Sequence, residues 1–173
     1  MSSTRNIAKM AVCVAIICIS AYLSFPLPFT TVPFTFLTLS MLLTSFILPP
    51  WQTFITLTVY VLLGSAGLPV FANGSSGIGV LFSPNGGYLI GFIIAYPICS
   101  FLKGTPPNLR RYFAAGLISI PISYIFGVIG ICLTAGLSVT QAVFAGVLPF
   151  LIGDIIKDFL AAYIGVHLKR LLP

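Results

Sequence analysis

The sequence predicts an all-α integral membrane protein with six transmembrane helices. Three observations carry this. Only ten of the 173 residues are charged, eight of them Lys or Arg and two Asp. Hydrophobic residues make up 58% of the chain, against roughly 45–50% in an ordinary globular protein. Long apolar runs follow one another, separated by prolines, glycines and single or paired basic residues. A soluble domain needs about a quarter of its residues charged, so a share of 6% excludes one. Disorder requires low hydrophobicity and high charge and is excluded too. A single transmembrane domain over residues 1–173 is expected. The net charge of +6 is no nucleic-acid footprint, because its basic residues sit between apolar runs rather than together on a solvated face. Cys13, Cys18, Cys99 and Cys132 lie in apolar runs without metal or redox spacing, and read as small packing residues.

The elements follow in order. The first apolar run covers about residues 7–25, with Arg5 and Lys9 at its start. It exceeds the roughly 7–15 residues of a signal-peptide core, so it reads as an uncleaved helix. Pro26-Leu27-Pro28 ends it, since proline cannot continue a helix. The second and third runs, about 33–48 and 51–63, are separated by Pro49-Pro50. Each would give roughly 20–24 Å of helix against a hydrocarbon core of ~30 Å. They read as short helices beside a cavity, or as helices that borrow residues from their flanks. The fourth and fifth runs cover about 87–102 and 112–133. Residues 139–148 are apolar, but Pro149 suits the first position of a new helix. A helix over 149–171 would rise roughly 34 Å, a full crossing. The sixth span is placed there, and 139–148 becomes a short outer segment.

Loop charge orients the bundle. With the N-terminus in the cytoplasm, the inner side carries Arg5, Lys9, Lys103, Arg110, Arg111, Lys169 and Arg170. The outer loops 26–32, 64–86 and 134–148 carry no charge. Such asymmetry is the positive-inside signature, and it requires an even number of spans with both termini cytoplasmic.

The loop between the third and fourth helices is long, rich in glycine and uncharged. Residues 64–87 read GSAGLPVFANGSSGIGVLFSPNGG. Long loops in compact domains are usually functional or disordered. Leu68, Val70, Phe71, Ile78, Val80, Leu81 and Phe82 call for burial, so a lid over an outward-opening site is expected. Asn73-Gly74-Ser75 also fits a glycosylation acceptor and Gly87-x-x-x-Gly91 a helix-packing motif. Neither says anything about a substrate. On the first helix Ala8, Ala11, Ala15 and Cys18 share one face, on which another helix or subunit could approach closely. Composition alone favours an internal partner.

The strongest signal is Gly153-Asp154-Ile155-Ile156-Lys157-Asp158. Charges deep in a bilayer cost at least ~2.5 kcal/mol each, so they are rare and usually functional. Asp154 and Lys157 would lie about 7 and 12 Å along the last helix, on the side of the glycine-rich loop. Asp154, Lys157 and Asp158 fall within an arc of about 100°, so all three are expected to face one way, with Lys157 partnering both acids. Asp supplies acceptors and Lys donors, which suits a small, mostly apolar molecule with a polar head bearing N–H and C=O groups. Enzyme motifs are missing: there is no H-E-x-x-H, G-x-S-x-G or G-x-x-x-x-G-K-[ST]. His167, the one histidine, reads as a headgroup-level residue. No metal site and no cofactor are expected.

Several stretches match a known pattern. They are Thr4-Arg5-Asn6-Ile7-Ala8-Lys9-Met10-Ala11, Pro26-Leu27-Pro28-Phe29 and Val32-Pro33-Phe34-Thr35. More specific are residues 67–71 (GLPVF), 77–91 (GIGVLFSPNGGYLIG) and 149–157 (PFLIGDIIK). On these the sequence resembles the BioY family, the biotin-specific substrate-capture subunits of energy-coupling-factor (ECF) vitamin transporters. The resemblance implies a six-helix bundle in the bacterial inner membrane that binds biotin near its outer face. Asp154 would accept from a ureido N–H and Lys157 would donate to a biotin oxygen. Tyr88 and the glycine-rich loop, with Asn73, Gly74 and Gly79, would line the pocket. Ala11 and Ala15 match an A-x-x-x-A pattern that docks on a membrane-embedded coupling (T) subunit, which reverses the composition-based reading of that stripe. Two ATPase subunits would power release inward. The sequence departs from many relatives at Leu37, where they carry Gln before the Thr of the second helix, and at Asp158, where they have a small residue. A capture subunit for a related amphiphile such as lipoate, a solitary importer, or a membrane enzyme using Asp154 and Lys157 on a lipid are the competing readings.

Overall fold

Apolar helices form nearly all of the computed structural model, which describes residues 3–28, 30 and 32–171. Phe29, quoted in one of the matching stretches, lies outside the described residues. The helices are α1 (Ser3–Tyr22), α2 (Leu37–Ile47), α3 (Pro50–Ser65), α4 (Gly86–Leu102), α5 (Leu109–Ala135), α6 (Val139–Gly146) and α7 (Leu148–Leu171). Their ends carry the expected chemistry. Pro50 opens α3 at a position where a missing N–H is harmless. The Asn108 side chain accepts from the Arg110 and Arg111 amides at the start of α5. Ser138 and Gln141 form a capping box on α6.

Two differences from the sequence reading concern the start of the chain. The first helix stops at Tyr22, and the second begins only at Leu37. Between them Ser24–Phe25 (β1) and Phe34–Thr35 (β2) pair antiparallel, Ser24 with Thr35 and Phe25 with Phe34. The prolines of the connection forbid helix, and the two short strands satisfy backbone groups that helices leave over. α1 over Thr4–Tyr22 and α5 are long and apolar enough to cross a membrane. α6 and α7 pass that test together as a pair bent by 45°. α2 and α4 are shorter apolar helices. Pro97 and Pro121 sit inside α4 and α5, as bundled membrane helices tolerate.

The surface confirms the solvent. Leu133, Phe101, Ile152, Ile125 and Leu62 are all more than half exposed, a density of apolar surface that lipid accepts and water does not. Hydroxyls are turned inward and bond to their own helices: Thr44 donates to the Ser40 carbonyl, Ser45 to Met41 and Ser119 to Gly116. Ser20 and Ser40 share a hydrogen bond of 2.7 Å that ties α1 to α2.

Glycines bring the helices together. α4 and α5 run antiparallel with Gly87 opposite Gly130 and Gly91 opposite Ser123. A Cβ on Gly87 would lie 2.2 Å from the Phe126 carbonyl oxygen and 2.9 Å from the Gly130 Cα. The Gly87-x-x-x-Gly91 motif is therefore a backbone-to-backbone contact, the small-residue packing that membrane helices use. α2 and α7 run parallel: Thr38 meets Asp154 near one end and Phe46 meets Gly165 near the other. Because backbone cannot move aside as a side chain can, Gly87→Ala is expected to destabilise the protein by about 1–3 kcal/mol. Thermal unfolding in detergent micelles checks this, and an unchanged midpoint would contradict the packing described.

Candidate functional site

Where α7 meets α2 and α5, one carboxylate gathers donors from three helices. Asp154 Oδ1 accepts from Thr38 Oγ1 at 3.0 Å and from Lys157 Nζ at 2.9 Å. Its Oδ2 accepts from the Tyr124 hydroxyl at 2.6 Å. Lys157 also donates to the Thr35 carbonyl at 2.7 Å and lies 3.8 Å from the centre of the Phe34 ring. Asp154 is 3% exposed and Lys157 5%. Local sequence explains the placement. The spacing of three puts acid and base on adjacent turns of one helix. The strand that holds Thr35 ends just before α2, which leaves its carbonyl for the ammonium.

The pair keeps capacity in reserve. A carboxylate has about four acceptor positions and an ammonium three donors. Three donors reach Asp154, and two acceptors engage Lys157. One acceptor position on Asp154 therefore remains, while the third N–H of Lys157 meets the face of the Phe34 ring. Both residues line a cavity of about 70 Å³ whose walls include Leu37, Phe71, Tyr88, Phe92 and Phe150. Small-molecule pockets usually measure roughly 300–1,000 Å³, so in this conformation the site is narrow.

The glycine-rich loop supplies one wall of the cavity, through Phe71, Ala72, Ser75 and Val80. It contains two 3-10 turns, Ala72–Gly74 and Ile78–Phe82. Phe71 is its anchor: buried, edge-on to Tyr60 at 5.7 Å, and resting on Gly64, where a Cβ would lie 2.3 Å from the ring. Gly77 adopts φ +92° and donates its N–H to the Gly64 carbonyl at 2.7 Å, which pins the middle of the loop to the end of α3. The Tyr22 hydroxyl donates to the Pro69 carbonyl and ties the loop to α1.

The structure redistributes the expected site residues. Asp154, Lys157 and Tyr88 all line the cavity. The Tyr88 hydroxyl, however, is engaged by the Gly146 carbonyl at 2.6 Å, so Tyr88 offers its ring. Asn73, Gly74 and Gly79 do not line the cavity; Phe71, Ala72, Ser75 and Val80 represent the loop there. Asn73 and Gly74 both adopt positive φ, +58° and +70°, and this left-handed bend separates them from Ala72 and Ser75. Burial within the loop is also narrower than expected. Phe71 is buried, but Leu68, Ile78 and Phe82 are exposed. Apolar side chains at a membrane boundary can face lipid, so burial in protein is not required of them.

Asp158 departs further. It is fully buried, but it packs on Gly116 of α5, outside the cavity. Neither of its oxygens has a hydrogen-bond partner, and Lys157 pairs with Asp154 alone among the described residues. The 100° arc was too wide to mean one direction: at 100° per residue, Lys157 and Asp158 diverge to either side of Asp154.

Three residues escaped the sequence reading. Thr38 and Tyr124 bind Asp154 directly. Asn85 lines the cavity, and its Oδ1 is buried with no partner. A buried amide oxygen left unsatisfied beside a cavity is a group kept for a ligand or water. Its position just before Gly86-Gly87, inside a matched stretch, was the available signal. At Leu37, where many relatives carry Gln, the side chain is a buried apolar wall. On α1, Ala8, Ala11 and Ala15 are exposed, so no helix among the described residues covers them.

Comparison with known proteins agrees along the whole chain. The sequence model described as the BioY family matches residues 1–173. The biotin transporter BioY of Thermotoga maritima is 35% identical, over 96% of this chain and 97% of that protein. The probable biotin transporter BioY of Pyrococcus horikoshii is 32% identical, over 95% and 96%. The fold is similar to a crystal structure of the S-component for biotin from an ECF-type ABC transporter. The TM-score is 0.89 at 22% identity, and the match covers 98% of this chain and 95% of that one. With the family model spanning every residue and relatives above 30% identity aligned nearly end to end, the chain belongs to the BioY family.

Proposed function

We propose that this protein captures biotin between α2, α5 and α7 and takes it across the membrane as the S component of an ECF-type transporter. It is a transporter and not an enzyme. The observation that carries the reading is the buried Asp154–Lys157 pair, with an acceptor position left over on the carboxylate, inside apolar walls. The head of biotin is a cyclic urea fused to an apolar thioether ring. A ureido N–H is matched by the free position on Asp154, and an oxygen by the N–H of Lys157 that otherwise meets the Phe34 ring. Asn85 supplies a further polar contact, and Tyr88, Phe92 and Phe150 pack against the ring system. Thr38 and Tyr124 hold the carboxylate in place, so that it meets the ligand without reorganising.

The chain is read as one transmembrane domain of six spans, with α7 forming the last and α6 a short outer segment. Parallel α2 and α7 with antiparallel α4 and α5 support this order, and the distribution of Lys and Arg supports cytoplasmic termini in the bacterial cell membrane. The loop 64–87 then lies outside, and its withdrawal admits biotin. Ala11 and Ala15, exposed beside Val12, Ile16 and Ile19, form the face for a membrane-embedded coupling subunit, which two ATPase subunits drive.

Purified protein is expected to bind labelled biotin saturably. Asp154→Asn and Lys157→Ala are each expected to weaken binding by about 2–5 kcal/mol, on the order of 30-fold or more, because each leaves the other charge buried without its partner. Saturation curves unaffected by either substitution would refute the assignment of the site. Tyr124→Phe, which deletes one hydrogen bond to a charged acceptor, is expected to weaken binding by about tenfold. Ala11→Trp is expected to abolish co-purification with the ATPase subunits while biotin binding persists; intact co-purification would remove α1 from the docking surface.

A further inference from the structure

Both acids of the chain lie on α7, one turn apart, and their surroundings are opposite. Asp154 accepts from Thr38, Tyr124 and Lys157. Asp158 is 0% exposed, and neither of its oxygens has a hydrogen-bond partner. Its carboxyl lies against Gly116 of α5, where a Cβ would come within 1.7 Å of Oδ1 and 2.5 Å of Oδ2. The groups that could answer it are committed or neutral. Lys157 donates to Asp154 and to the Thr35 carbonyl. Lys103 donates to the Ser45 and Leu48 carbonyls and to Ser100 Oγ. On α5, Ser119 Oγ donates to the Gly116 carbonyl at 2.9 Å, the Tyr124 hydroxyl belongs to Asp154, and Tyr112 is stacked on Phe46. Arg110 and Arg111 stand exposed at the start of that helix. α2 and α6, which also pack on α7, hold no ionisable residue. α4 brings Tyr96 and Cys99 within electrostatic reach of Asp158. Both are fully buried, and the Tyr96 hydroxyl is itself without a partner.

A carboxylate is stabilised by a cation, by hydrogen-bond donors or by water. Among the described residues none of these reaches Asp158. An ionised carboxylate left in that position costs far more than a neutral acid of the same shape, and such a group takes up a proton. The bilayer core around the bundle offers no relief. Two carboxyls of one helix can therefore stand in opposite charge states through their surroundings alone. We propose that Asp158 is a proton-binding site, at which a carboxyl packed against Gly116, beside Tyr96 and Cys99, keeps its proton at neutral pH while Asp154 stays ionised. The charges of the buried cluster on α7 then cancel, Asp154 against Lys157, with Asp158 adding none.

The composition of the chain makes the test direct. It holds two aspartates and no glutamate, so aspartate isotope-labelled at its side-chain carboxyl carbon reports these two groups alone. The full chain, made by cell-free synthesis so that the label stays in aspartate, is reconstituted in lipid for infrared spectroscopy. At neutral pH the isotope-shifted signal is expected to contain one carboxylate band and one carboxylic-acid band. Asp158→Asn is expected to abolish the acid band and leave the carboxylate band in place. The wild-type spectrum decides the point even if that variant fails to fold. Two carboxylate bands at neutral pH overturn the proposal and leave the biotin site untouched. An acid band that survives Asp158→Asn also overturns it, places the proton on Asp154, and counts against the biotin site as well.

Discussion

Asp154 receives hydrogen bonds from α2, α5 and its own helix at once, and this convergence organises one end of the bundle. The bilayer interior supplies no water to solvate a stray charge, so a carboxylate there must find its donors within the protein. Thr38, Tyr124 and Lys157 provide them from three directions, which fixes the distances between the helices that bear them. The same requirement brings the Thr35 carbonyl to Lys157 and with it the β1–β2 ribbon, so the segment before α2 becomes part of the site. Buried ion pairs contribute little net stability in general. Here the pair defines a position, fixing α2, α5 and α7 around one carboxylate.

Glycine contacts do the corresponding work between α4 and α5. Where Gly87 and Gly130 meet, the backbones approach more closely than any side chain would permit. That approach carries Tyr88 past Gly127 to reach the Gly146 carbonyl, so the ring becomes a fixed wall of the cavity. Gly116 is a different case. It leaves room for the Asp158 carboxylate, which occupies the space a side chain on α5 would fill. Asp158 therefore fills packing volume at that crossing.

Much of this was legible in the sequence, because scarcity is informative in a membrane protein. Apolar runs and prolines located the helices to within a few residues, and α6 with the Pro149 break emerged as expected. Asp154 and Lys157 were conspicuous because a charge in an apolar run has few innocent explanations. Thr38 and Tyr124 were not, since a hydroxyl in such a run most often bonds to its own helix, as Thr44 and Ser45 do. Only the approach of α2 and α5 to α7 distinguishes them. Which loop residues line the cavity was not legible, because the segment is built from a left-handed bend at Asn73-Gly74 and one short 3-10 turn, neither of which leaves a periodic signature. Helical periodicity likewise gave the side of α7 on which Asp158 lies, but not which of two neighbouring helices it would meet.

Phe71, seated on Gly64 over a cavity of about 70 Å³, has a kinetic meaning. With loop 64–87 as the proposed lid, a guest enters only when Phe71 lifts off Gly64, so the association rate scales with the fraction of time the loop is withdrawn. Escape from beneath the returned loop requires the same opening, so residence lengthens in step and equilibrium affinity is not sacrificed. Such a lid exchanges speed of capture for retention, which suits a protein that meets its cargo rarely.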